Sequence, residues 1–460
     1  MTKRSTGKAI SRRHFFKLTG GSTLVAAGMG LLPFKNLLGP LAMSDANAQT
    51  LSVNPPPDLF FGGTDGWISL PRDPARFASP ALGGVQTHPD PYAPDGFTTY
   101  VFGFRNITNL TDVQRAAQKN HAQHNAPMFW LDQVDPAAPR NFRMNLTNLG
   151  LAQRPDLFDA HTIHWHGFRN VITFFDGEPT GSIAVTTGRV FQYVYRPRDP
   201  GTYMFHCHVE DVEHVHMGMT GPVWVRPRQN VTNPGLYRSG KFAYNDGDGS
   251  TGYDREFPMF CSEVWGDSHW ADAHIQLPEW SDYDPDFCLL NGRVYPDTLV
   301  PNGPIDTAHS TNVLAIQTNA NGDLVAPAGR PDLQYQPYSA LVTCNAGDRV
   351  LLRFANLGFK ESAMTLVGLT MRVVGKDATP MKGRDGTDTS YEATTVSFGA
   401  GESIDAIFTA PAHSGGIGPD VYVLYDRAYE RTNNLGGGGR RTEIRVYPAN
   451  TLPPQTLPNT

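Results

Sequence analysis

Pro200-Gly201-Thr202-Tyr203-Met204-Phe205-His206-Cys207-His208, followed by His214 and Met219, is the stretch on which the reading of this chain turns. Upstream stands a matching segment, His161-Thr162-Ile163-His164-Trp165-His166-Gly167. Read as strands, both segments place successive side chains on opposite faces. His206 and His208 then share one face and Cys207 takes the other. His164 and His166 share a face, Trp165 opposes them, and His161, of opposite parity, turns with Cys207. The pattern predicts two sites, back to back across one pair of strands.

The first site would be His161, Cys207, His214 and Met219. Two imidazoles and a thiolate in a trigonal array, with a weak axial thioether, make the blue type 1 copper arrangement, whose work is one-electron transfer. His216 can take the place of His214, and Met217 that of Met219. The spacing from His214 to Met219 favours that pair. The second site would gather His164, His166, His206 and His208, four imidazoles suited to copper or zinc. Cys207 reaches it through the backbone to either neighbouring histidine, a wiring that a structural zinc site does not need. His121 and His124 read as a solvated loop, and Met144, Met204 and Met364 as core.

Outside these motifs, 46 glycines, 37 prolines and 11% aromatic residues favour short strands and tight turns over long helices, hence an all-β fold of sandwich or barrel type. A net charge of −6 argues against nucleic acid as a partner. Residues 1–48 read as an export signal. A basic head holds Ser11-Arg12-Arg13-His14-Phe15-Phe16-Lys17, a twin-arginine pattern, and a Gly-broken apolar run leads to Ala46-Asn47-Ala48. That run is too short for a stable membrane span after cleavage. The expected location is the periplasm. A disulfide is permitted there, and Cys261 and Cys288 read equally well as a pair or as two buried thiols.

Strand-like segments then fall in two sets. The boundaries read as 49–228 for a first domain carrying the motifs, 229–252 for a Gly/Asn/Asp-rich linker, 253–448 for a second domain, and 449–460 for a loose tail. Each domain has a strand ending in Asn-Leu-Gly, at Asn148-Leu149-Gly150 and Asn356-Leu357-Gly358. Two copies of one sandwich are the economical reading.

With these motifs in place, the chain resembles the multicopper oxidases, a family of cupredoxin fold that includes laccases and, more distantly, copper nitrite reductases. The resemblance rests on Asp159 to Gly167, on Pro200 to His208, and on the turn Leu290-Asn291-Gly292-Arg293-Val294-Tyr295-Pro296-Asp297. It implies two cupredoxin-like Greek-key β-sandwich domains, copper as cofactor, and a laccase-like oxidoreductase. Electrons would enter at the type 1 site and pass to copper on His164, His166, His206 and His208, where an acceptor, oxygen, is reduced. Glu210, Asp211 and Glu213 are the acids nearest in sequence for supplying protons. The electron donor is left open among a small molecule, a metal ion and a redox protein. Two-domain relatives are homotrimers whose neighbouring subunit completes a cluster of eight histidines. Here the second domain reads Ser362-Ala363-Met364-Thr365-Leu366-Val367 and Tyr422-Val423-Leu424-Tyr425-Asp426-Arg427 at the corresponding places, without a histidine. His269 and His274 are the nearest substitute donors. That gap keeps two alternatives alive: a non-catalytic blue copper protein for electron transfer or copper handling, and a nitrite-reductase-like enzyme. The second is weakened because His164 stands where those enzymes place an aspartate.

Overall fold

The computed structural model describes residues 56–71, 89–125, 127–428 and 439–460. The stretch expected to be an export signal lies outside them. Among the described residues no helix is long and apolar enough to cross a membrane.

The first half is built from two four-stranded sheets. One has the order β2 (Thr99–Asn106), β1 (Leu59–Ile68), β4 (Phe142–Gly150), β6 (Val190–Tyr195). The other has β3 (Phe129–Asp132), β8 (Thr220–Arg226), β7 (Gly201–His206), β5 (His164–His166). Strand β4 alternates buried and half-buried residues along its whole length, the period-two signature of a sheet with one face on a core. That core is aromatic: Phe61, Phe104, Phe129, Trp165, Tyr193 and Phe205 lie between the sheets.

The second half repeats the plan. One sheet runs β10 (Phe287–Leu290), β9 (Arg255–Val264), β12 (Arg349–Asn356), β18 (Ser403–Thr409), β14 (Met371–Lys376), β15 (Thr379–Pro380), with β16 (Tyr391–Ala393) also on β14. The other runs β11 (Val342–Asn345), β20 (Arg441–Tyr447), β19 (Asp420–Asp426), β13 (Ser362–Leu366), β17 (Thr395–Phe398). The directions repeat as well. Strand β1 is antiparallel to β2 and parallel to β4, as β9 is to β10 and β12. Strand β3 is parallel to β8, as β11 is to β20. The chain is all-β with two cupredoxin-like sandwiches.

Two expectations about the connections need correction. Residues 229–252 are folded: Ala243 and Tyr244 pack with Tyr253, Leu351, Val374 and Ile407, and Gln229, Asp246 and Thr251 form a hydrogen-bonded knot. A few large apolar side chains anchor a segment whose local composition looks like a linker. The tail is tied down too. Gln455 accepts from the Glu256 backbone N–H, and Asn459 is buried with its side chain on the Ser339 carbonyl. Cys261 and Cys288 sit on paired strands as buried thiols that are not joined in a disulfide.

Candidate copper sites

His161 is held between strands by reciprocal 2.9 Å backbone bonds with Val185. His214 sits on the helix Asp211–Met217, which ends at Gly218. Gly218 has φ +118°, and a methyl group there would stand 2.3 Å from His124 Nδ1, so only glycine lets the chain turn back. The backbone then returns at Met219, whose N–H bonds the His214 carbonyl. Cys207 follows directly on β7. The result is one buried group: the ligand atoms of His161, Cys207 and His214 lie within 4.8 Å of one another, with Cys207 Sγ 3.2 Å from His214 Nδ1. Met219 closes one side. A methyl group on Gly63 would meet both His161 Cδ2 at 2.9 Å and Met219 Cε at 3.3 Å.

The electrostatics suit a metal. Burial alone would raise the Cys207 thiol, yet the attraction of His214 holds it well below its ordinary range. Burial likewise opposes charge on His214, but Cys207 lifts that imidazole to about 10. The Thr162 N–H points at Sγ from 3.4 Å. Both ring nitrogens of fully buried His161 lack a hydrogen bond. Buried polar atoms are nearly always satisfied, and a cation at the centre of this group would satisfy one of the two.

His216 does not compete. It is turned away, its Nε2 accepting from the Trp265 N–H at 3.0 Å, among His269, Trp280 and Tyr283. Met217 lies in the aromatic core.

The second group forms on the other face of β5 and β7, where His164 lies opposite His206. Trp165 turns the other way into the core, 4.9 Å from Tyr195, as parity requires. Ligand atoms of His164, His166 and His206 lie within 4.8 Å of one another. The His208 ring stands 5.0 Å from that of His164 and 5.5 Å from that of His206. Burial pushes His206 down to about 3 and also lowers His164 and His166, so these three are neutral donors.

Several partners of these groups had no role in the sequence reading. Asp176 receives the His164 ring through its carbonyl at 2.9 Å, and its carboxylate is 3.5 Å from the same nitrogen. Burial lifts that carboxyl to about 6. The Gly401 carbonyl, from the turn between β17 and β18, is 3.0 Å from His166 Nε2. Asp159 faces His214 Nε2 at 3.5 Å. Glu210 and Glu213, expected to serve the four-histidine group, instead lie beside Asp159 and His214. His121 pairs with Asp323, His274 with Asp90, and His269 bonds the Tyr100 carbonyl, so none of them joins either group.

Residues 146–230 match the multicopper oxidase family model, a span that contains the histidine and cysteine motifs of both groups. The chain carries a multicopper oxidase domain. Ceruloplasmin from Mus musculus is 34% identical to it over 82 residues, 17% of this chain and 7% of that protein, so the chain spans only a small part of that curated relative. Among solved structures, the blue copper oxidase from Nitrosomonas europaea covers 84% of this chain and 85% of its own at 20% identity, TM-score 0.52. The multicopper oxidase mgLAC gives 19% identity, 86% and 87% coverage, and TM-score 0.50. A copper nitrite reductase from Thermus scotoductus gives 14% identity, 87% and 63% coverage, and TM-score 0.50. At these identities the structures speak for the fold. Copper is the metal of the multicopper oxidase domain, and the family is one of oxidoreductases.

Proposed function

We propose that the protein is a copper-dependent oxidoreductase in which His161, Cys207, His214 and Met219 take electrons in and His164, His166, His206 and His208 deliver them to an acceptor, oxygen. Copper, when bound, would supply a one-electron change at each set. The observation that carries the reading is the continuity of the two groups. Cys207 Sγ touches His214, while its chain neighbours His206 and His208 belong to the other group. Asp176 is the acid placed to hold a proton beside the acceptor group, a task for which a carboxyl lifted to about 6 is suited. Exported delivery to the periplasm and assembly as a homotrimer belong to the same proposal, with the donor a small molecule, a metal ion or a redox protein.

A nitrite-reductase-like activity has one observation in its favour. An acid does stand at the histidine group, at Asp176 rather than at the position of His164.

The test is reoxidation. Copper-loaded protein, bleached with a one-electron reductant under argon, should regain its blue absorption in air, and His206→Ala should stay bleached. A wild-type protein that stays bleached with both air and nitrite is an electron carrier only. Recovery with nitrite but not with air selects the second reading.

A further inference from the structure

We propose that the histidine group holds a single copper ion, so that the chain loads two coppers in all. This rests on the reading that both groups bind copper.

The first argument is the direction of the lone pairs. His164 Nδ1 lies 2.9 Å from the Asp176 carbonyl, His166 Nε2 lies 3.0 Å from the Gly401 carbonyl, and His206 Nδ1 lies 2.8 Å from the Cys207 carbonyl. A carbonyl only accepts, so each of these nitrogens carries the proton. The remaining nitrogens are left with lone pairs. His166 Nδ1 and His206 Nε2 are 3.3 Å apart. Backbone carbonyls that fix the tautomer of ligating histidines are the usual outer support of a metal site. Imidazole nitrogens about 2 Å from one ion are within about 4 Å of each other, and ligand atoms of these three lie within 4.8 Å of one another. Their outer nitrogens are engaged by this same chain, so each of the three has one lone pair to give to one ion.

The second argument is what the second half holds at the matching places. His206 lies opposite His164 on β5 and Thr220 on β8. Tyr425 lies opposite Thr365 on β13 and Arg441 on β20. Tyr425 therefore occupies the place of His206, and Thr365 that of His164. Counting along the strands puts Ser362, Asp426 and Arg440 in the places of His161, Cys207 and Met219. One hydrogen bond checks the alignment. The Cys207 N–H bonds the Met219 carbonyl at 3.0 Å, and the Asp426 N–H bonds the Arg440 carbonyl at 2.9 Å.

These three residues are in contact in the second half. The fully buried Arg440 guanidinium donates to Ser362 Oγ at 2.5 Å, faces Asp426 at 3.4 Å and bonds Glu263 at 3.0 Å. A fixed organic cation fills the position that copper would take. Thr365, Val367, Tyr425 and Arg427, at the places of the four histidines, contribute no imidazole. Among the described residues, the second half therefore adds no histidine to the group.

The experiment counts metal and spins together. Protein loaded with excess cupric ion and desalted is assayed for copper by mass spectrometry and for unpaired electrons by EPR. The expected result is two coppers per chain, both EPR-visible, one with the narrow hyperfine splitting of thiolate-bound copper. His166→Ala should load one copper and keep the blue band. Four coppers per chain, or more copper than spins, overturns the one-copper site and leaves the oxidoreductase reading standing. One blue copper in the wild type overturns both. A His166→Ala protein that still holds two coppers overturns the assignment of these residues.

Discussion

Gly177 leaves no room for another residue. Its φ is +75°, and a methyl group there would lie 2.1 Å from the Ile163 carbonyl. This fit holds the loop of Asp176 against the strand of His164. Gly177→Ala should destabilise the fold by roughly 1–3 kcal/mol through strain at a left-handed position, read as a lower urea midpoint, and should weaken copper loading at the histidine group before the blue site. Cys207→Ser removes the only thiolate from the buried group at His161 and should abolish the blue band while circular dichroism stays unchanged. Blue colour surviving in that variant would sink the assignment of the first site. The clustering of these histidines and Cys207 into two groups was legible because a strand has period two, and parity alone separates Cys207 from His206 and His208. Asp176 and Gly401 were not legible, since each reaches its histidine across a fold-dependent distance. The Asp176-Gly177 pair is a turn signal, but nothing local says what the turn will touch.

At the scale of elements, β7 and β19 are the same strand put to different uses. Strand β19 and its neighbours surround Arg440 with Glu263 and Asp426, all fully buried. Removing one partner of such a set leaves uncompensated charge, which costs about 3–5 kcal/mol. Arg440→Met should therefore lower stability by about that much in chemical denaturation, although methionine is the residue at the matching place in the first half. A neutral outcome would mean that Glu263 and Asp426 take up protons at little cost. The repeat of two sandwiches was visible in the paired Asn-Leu-Gly strands. The occupant of the second centre was not, because Arg440 stands well beyond Asp426 in sequence and reads as an ordinary strand-edge cation. The segment 229–252 misled for the complementary reason: its few anchors, Ala243, Tyr244 and Tyr253, are outnumbered by turn residues.

Across the whole molecule the halves are joined by charge as well as by apolar packing. Glu256 is buried and accepts from Arg226 of the first half and Arg353 of the second. Burial would raise its carboxyl, but the two guanidiniums hold it down at about 2, below its ordinary 4.5. A carboxylate whose folded value is depressed stabilises the protein fully above its unfolded value and loses that contribution as pH falls. Stability should therefore decline from pH 4.5 toward pH 2, and Glu256→Gln should flatten that decline while lowering stability at neutral pH. Equal slopes for the two proteins would show that Glu256 is not the group responsible.

Arg353 also bonds Thr202 on β7, which donates to Asp405 at 2.5 Å and whose carbonyl accepts from Ser403. The second half thus grips the strand that joins the two candidate copper groups. Electron transfer is slowed when the atoms around donor and acceptor must rearrange as charge moves. A strand clamped from behind by buried, ion-paired side chains has little freedom to do so. The second half acts in this way as the anvil for the other, and with copper bound as proposed it would keep reorganisation energy low along the bridge at Cys207.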